Sequence, residues 1–240
     1  MKAGTLVARV RYEMRILGVG IFAAPLLVIA LFVGVAALAS FESGRQGASS
    51  AVGHHDMAIG LLFLLEAGLP LVAGLVAAYL IATNPAKELH FTLVTSYRAT
   101  MGQRLALFTC WAFLASLGAC IAIARAGYWI VPQDAPRNLL IFSAPLLWFI
   151  ATGALLSLLL GNWIASNTIL GLLWIGELFL RPWMLQHAIT QKLYLFLTIF
   201  APDAAYWQTN RLTLLGVAMV FLVLVALLLR RNEAILGHEA

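Results

Sequence analysis

The run Leu139–Gly176, LLIFSAPLLWFIATGALLSLLLGNWIASNTILGLLWIG, contains no charged side chain. A helix needs about 20 predominantly apolar residues to cross the hydrocarbon layer of a bilayer, so this run is far too long for one span and about right for two. The stretch from Gly161-Asn162 to Ser166-Asn167 is the expected hairpin between them, because glycine and asparagine favour turns. One span then occupies 139–160 and the next 163–180, joined by a very short loop.

The rest of the chain agrees with that reading. Of its 240 residues, 62% are hydrophobic and 10% charged, against ~45–50% and ~25% in soluble domains. The composition predicts an all-α polytopic membrane protein in one transmembrane domain, 1–240. The formal net charge of +5 lies largely in the tails and loops, which suits orientation by the positive-inside rule and not nucleic-acid binding. Cys110 and Cys120 fall on one predicted helix about 15 Å apart, too far for a disulfide.

Extending outward gives six spans: 18–39, 57–82, 105–124, 139–160, 163–180 and 212–229. Residues 1–17 read as an interfacial helix, with Leu6, Val10, Met14 and Leu17 on one face and Arg9, Arg11 and Arg15 off it. Ala37-Leu38-Ala39 resembles a signal-peptidase site, but the apolar run before it is long, so an uncleaved first span is expected. His54-His55-Asp56 stands at the end of a Gly/Ser/Ala-rich loop, and adjacent residues rarely complete a metal site. Span two carries Glu66 and Pro70. A carboxylate in a span faces a bundle interior or water, so Glu66 either lines a transport path or subunit interface, or reaches water or a neighbour. Pro70 is expected to kink the helix. Glu177 is expected to pair with Arg181 at the membrane interface.

Two polar stretches interrupt this pattern. In Thr83–Arg104, TNPAKELHFTLVTSYRATMGQR, Asn84 suits an N-cap and Pro85 the first helical position. Leu89, Leu93, Tyr97 and Met101 form an apolar stripe, with Lys87, Glu88 and Arg98 off it. A helix over 84–104 on the cytoplasmic membrane face follows, able to offer its polar side to a partner. In 181–210, Pro182, Trp183, Tyr194, Phe196, Phe200, Pro202, Tyr206 and Trp207 surround an apolar run too short to span. Short re-entrant or interfacial helices are expected there, shielded by protein or lining a water-filled cavity. Phe196 and Phe200 join Glu66 and Pro70 as candidate pathway or interface residues.

Glu88-Leu89, Leu93-Val94-Thr95-Ser96, Arg98 and Arg104 resemble the cytoplasmic coupling loop of ABC exporter permeases of the type-2 (antibiotic, drug and polysaccharide) class. The sequence departs from that pattern at Ala86-Lys87, where Gly-Thr is usual, and at Ser96, where Pro is usual. The span spacing, the N-terminal surface helix and the aromatic stretch before span six extend the resemblance along nearly all of the chain. The resemblance implies that two such subunits pair as a homo- or heterodimer. Each would dock a separate ABC ATP-binding subunit through Asn84, Lys87, Glu88, Thr95, Ser96 and Arg98. ATP and Mg would be bound by that partner, with no cofactor in this chain, and a drug, peptide antibiotic, lipid or polysaccharide would move outward across a bacterial cytoplasmic membrane.

The residues fit a non-catalytic subunit. No G-x-x-x-x-G-K-[ST], H-E-x-x-H or G-x-S-x-G sequence occurs. Lys2, Arg9, Arg11, Arg15, Lys87, Arg98, Arg104, Arg230 and Arg231 fall inside if both termini are cytoplasmic. Arg45, Arg125, Arg137, Arg181, Lys192 and Arg211 then fall outside. The competing reading is a stand-alone six-span channel, scaffold or intramembrane enzyme, which needs several ionisable residues converging at mid-bilayer.

Overall fold

A chain in lipid must satisfy every backbone N–H and C=O from within, and a helix does so inside one segment. In the computed structural model, which describes residues 19–45, 50–83, 97–131 and 134–236, every regular element among the described residues is helical. Helix α1 is Val19–Arg45. A long second helix is built from α2 (Ser50–Phe63), a π-helical turn (Leu64–Gly68) and α3 (Leu69–Ala82). Then follow α4 (Tyr97–Arg125), α5 (Ala135–Leu160) and α6 (Trp163–Phe179). A segment of short elements comes next: α7 (Arg181–Gln186), a 3-10 turn (Thr190–Lys192) and α8 (Leu197–Phe200). Helix α9 (Trp207–Leu236) closes the described chain.

Among the described residues, four helices are long and apolar enough to cross a membrane: Gly53–Ala82, Arg98–Arg125, Pro136–Leu160 and Trp207–Arg231. This is the mark of an integral membrane protein. Two shorter apolar stretches, Gly20–Val35 in α1 and Trp163–Phe179, which is α6, fall at the places expected for the first and fifth spans. The expected surface helix at 1–17 and residues 84–96 of the expected coupling helix lie outside the described residues. Tyr97 to Arg104, assigned to that coupling helix by sequence, are instead the first turns of α4. Met101 and Arg104 are buried there, because the Met101 side of the stripe packs on the bundle with Leu105 and Phe108.

Helix α5 is the axis of the bundle, packed along α3 on one side and α9 on another. Glycine makes the first contact possible. A Cβ on Gly153 would lie 2.3 Å from the Gly74 carbonyl oxygen, and one on Gly74 would lie 2.8 Å from that of Phe149. Small residues let membrane helices approach to backbone contact, where dispersion and interhelical hydrogen bonds replace the hydrophobic effect. Ser157 supplies such a bond, its Oγ donating to the Ala78 carbonyl at 2.8 Å.

The hairpin between α5 and α6 is tighter than expected. Gly161 takes φ 62° as the C-cap of α5, a left-handed conformation that suits glycine. Asn162 is the N-cap of α6, its side chain accepting from the Ile164 and Ala165 N–H groups. Ser166 and Asn167 are therefore in the helix and not in the turn.

Candidate functional site: a buried charge node beneath the short-helix segment

The site grows from Pro70. A proline inside a helix removes one donor, and its ring collides with the carbonyl four residues back, here that of Glu66. The chain resolves this with the π turn at Leu64–Gly68, where the Leu69 N–H reaches back to the Leu64 carbonyl. Pro70 then stands in the first turn of α3. The turn lies about 20 Å along the helix from Gly53, and it buries Glu66 completely.

A buried carboxylate must be paired and hydrogen-bonded. Glu66 Oε1 accepts the Thr198 N–H at 2.8 Å and Oε2 that of Ile199 at 2.9 Å, both in α8. Arg211 of α9 completes the node, its Nη2 donating to Glu66 Oε1. The same guanidinium donates to Thr198 Oγ1 at 2.7 Å and to the Leu195 carbonyl at 3.0 Å. Trp207 Nε1 donates to Thr198 Oγ1 at 3.0 Å, and the Arg211 guanidinium lies 5.4 Å from the Trp207 ring centroid. One residue earlier, Asn210 Nδ2 donates to the Gln191 and Tyr194 carbonyls, each at 2.8 Å.

The node therefore ties three parts of the chain that are far apart in sequence: the π turn, the segment between α6 and α9, and the start of α9. Residues Tyr194 to Thr198 are all buried. Irregular backbone at that depth must be covered by protein, and Glu66, Arg211 and Asn210 satisfy its polar groups. Glu177 of α6 adds a fourth tie, accepting the Leu195 N–H at 2.7 Å. Its expected pairing with Arg181 is not formed, because the Arg181 guanidinium lies over the Phe200 ring at 4.1 Å.

Several residues singled out by sequence meet here. Glu66 pairs with a neighbour and does not reach water, and Pro70 shapes its turn. Phe196 is fully buried in a ring cluster with Phe63, Trp174 and Tyr194, at centroid distances of 6.2, 6.0 and 5.9 Å. Phe200 sits at the edge of that cluster, 6.4 Å from Tyr194. Arg211 is a correction: counted by sequence with the outer-loop cations, it is fully buried inside α9. His54-His55-Asp56 lies on α2 instead of in a loop. His54 Nε2 is 3.2 Å from the Gly127 carbonyl, and its ring stacks on Tyr128. Of the proposed partner-contact residues, Arg98 is exposed in the first turn of α4. Asn84, Lys87, Glu88, Thr95 and Ser96 lie outside the described residues.

Chemically the node holds and does not react. Both carboxylate oxygens of Glu66 are engaged and no solvent reaches them. Among the described residues, no group of three or more His, Cys, Asp or Glu side chains is placed to hold a metal ion. Comparison of the chain with protein-family models, with curated proteins and with solved structures finds no match. The reading of function therefore rests on the sequence and this geometry.

Proposed function

We propose that the chain is the transmembrane subunit of an ATP-driven exporter of the type-2 ABC class. In this reading two copies, or this chain and a similar one, pair in the membrane, and each docks a separate ATP-binding subunit through Asn84, Lys87, Glu88, Thr95, Ser96 and Arg98. The observation that carries it is the short-helix segment 181–206, seated in the bundle just before the last long helix. The resemblance implies such an element at that place, and a simple surface loop would not need a buried ion pair to hold it.

The node also suits a moving bundle. A partner shifts a conformational equilibrium only through different affinities for the two states. With Glu66 tying α2–α3 to the short-helix segment and to α9, these parts move as one body when the inner ends are pulled. The α3–α5 contact at Gly74 and Gly153 extends that body inward. The transported solute is hydrophobic or amphipathic in this reading, and both termini are cytoplasmic.

Co-expression with a candidate ABC ATP-binding subunit tests the proposal. A complex that survives purification in detergent supports it. A chain that purifies free of that protein, with no effect of either on the other, returns the reading to a stand-alone membrane protein.

A further inference from the structure

A cavity of about 360 Å³ lies at the end of the bundle where the N-terminal ends of α5 and α9 meet the 201–206 turn. Asp134, Arg137, Asp203, Trp207 and Gln208 line it. Three full charges border this space, and among the described residues none of them forms an ion pair. Asp134 and Asp203 are exposed, and neither forms an ion pair or side-chain hydrogen bond with a described residue. Arg137 is held back from them. Its Nη2 donates to the Pro202 carbonyl, its guanidinium lies 4.8 Å from the Trp207 ring centroid, and its Nε is buried without a partner. Opposite charges on flexible side chains normally close on each other. Here the cation is tethered, so the separation is built in before any ligand arrives.

We propose that this cavity binds a zwitterionic amino-phosphate group, with Arg137 taking the phosphate and Asp134 and Asp203 the ammonium. A purely anionic ligand would face two carboxylates, and a purely cationic one would face Arg137; a molecule carrying both signs satisfies each wall. Arg137 stands in the first turn of α5, where the helix dipole also favours an anion. Tyr128, Trp129 and Tyr206 lie at the same end, the kind of aromatic residues that mark the headgroup level of a bilayer. The ligand is either the headgroup of an ethanolamine phospholipid or a soluble amino phosphate. The Trp207 ring that Arg137 covers also contacts Arg211, so the cavity is one side chain from the Glu66 node. The proposal does not depend on an ATP-binding partner.

The purified chain in detergent is titrated with phosphoethanolamine, inorganic phosphate and ethanolamine, following tryptophan fluorescence and heat. Parallel samples in nanodiscs compare ethanolamine with glycerol phospholipids by the lipid retained in native mass spectrometry. The expected result is at least tenfold tighter binding of the zwitterion than of either single-charge probe. Asp134→Asn/Asp203→Asn removes that preference by weakening zwitterion binding, while inorganic phosphate, relieved of two like charges, binds at least as tightly as before. Retention of ethanolamine lipid, displaced by phosphoethanolamine, assigns the site to lipid; binding of the soluble probe with no lipid preference assigns it to a soluble ligand. Arg137→Gln is expected to abolish both modes. Should that variant fold poorly after losing the Pro202 contact, the exposed aspartates carry the test alone. Equal affinity for all three probes with no lipid preference, or zwitterion binding unchanged in the double variant, overturns the proposal.

Discussion

Glu66 in the π turn and Arg211 in the first turns of α9 form an ion pair with both side chains fully withdrawn from solvent. A buried pair adds little over a well-packed apolar pair, but removing one partner strands the other charge at a cost of about 3–5 kcal/mol. Arg211→Met and Glu66→Leu are each expected to lower the melting temperature in detergent sharply. Glu66→Gln/Arg211→Met is expected to recover part of the loss, since no charge is left stranded and the amide oxygen still accepts one of the Thr198 and Ile199 N–H groups. A double variant no more stable than the worse single one contradicts this account of the node.

The Gly153–Gly74 contact sets a steric limit. Gly153→Ala places a methyl 2.3 Å from a backbone oxygen that no side-chain rotation can move. Overpacking of this kind costs about 1–3 kcal/mol. Gly171→Ala in α6, where a Cβ meets nothing within 4 Å, is the control. The first is expected to melt earlier than wild type and the second to be unchanged or slightly more stable.

Trp207→Phe keeps an aromatic ring between Arg137 and Arg211 but removes the N–H that Thr198 Oγ1 accepts. The expected loss is about 1 kcal/mol. Limited proteolysis is expected to cut sooner between residues 187 and 206, with the long helices unaffected. Equal cleavage rates in variant and wild type would show that this bond does not hold the segment.

The charge bias motivates a prediction of topology. Both termini and Lys87 are expected on the cytoplasmic side, with the 181–206 segment facing outward. With Cys110 and Cys120 replaced, a cysteine at position 203 is expected to react with an impermeant reagent added to intact cells, and one at position 87 only after lysis. Labelling at 87 from outside reverses the orientation.

The class of the fold was legible in composition and run length, because a bilayer admits few solutions for a long uncharged apolar chain. The short-helix segment was legible too: its apolar run is too short to span and is rich in aromatics. Glu66 and Pro70 could be named from sequence as an intramembrane carboxylate and a helix disruptor. Their joint effect, a π turn that aims Glu66 inward, depends on which carbonyl Pro70 meets and on what packs opposite. Arg211 was misplaced because it borders the uncharged start of the last span, where a cation normally reaches the interface. The available signal was Trp207 and Asn210-Arg211, a polar and aromatic cluster spaced three and four residues apart on one helix, opposite the carboxylate of span two. Helices α2 and α4 begin about two turns before the spans expected at 57 and 105. Ser50–Asp56 and Tyr97–Arg104 are polar in composition but continue apolar helices, and composition alone does not reveal such continuity.

The central claim is that the chain works as the membrane half of an ATP-driven pump, with the Glu66 node carrying motion to the short-helix segment. Its most direct measurement is ATP hydrolysis in liposomes containing the chain and a candidate ABC ATP-binding subunit. The predicted result is hydrolysis that depends on the chain. Glu88→Ala should weaken docking of the ATP-binding protein roughly thirty-fold or more, as loss of one partner of a buried charged contact does. Arg211→Met should leave docking intact while hydrolysis becomes unresponsive to transported solute. Hydrolysis indifferent to the chain, with no docking of the ATP-binding protein in wild type, would contradict the account.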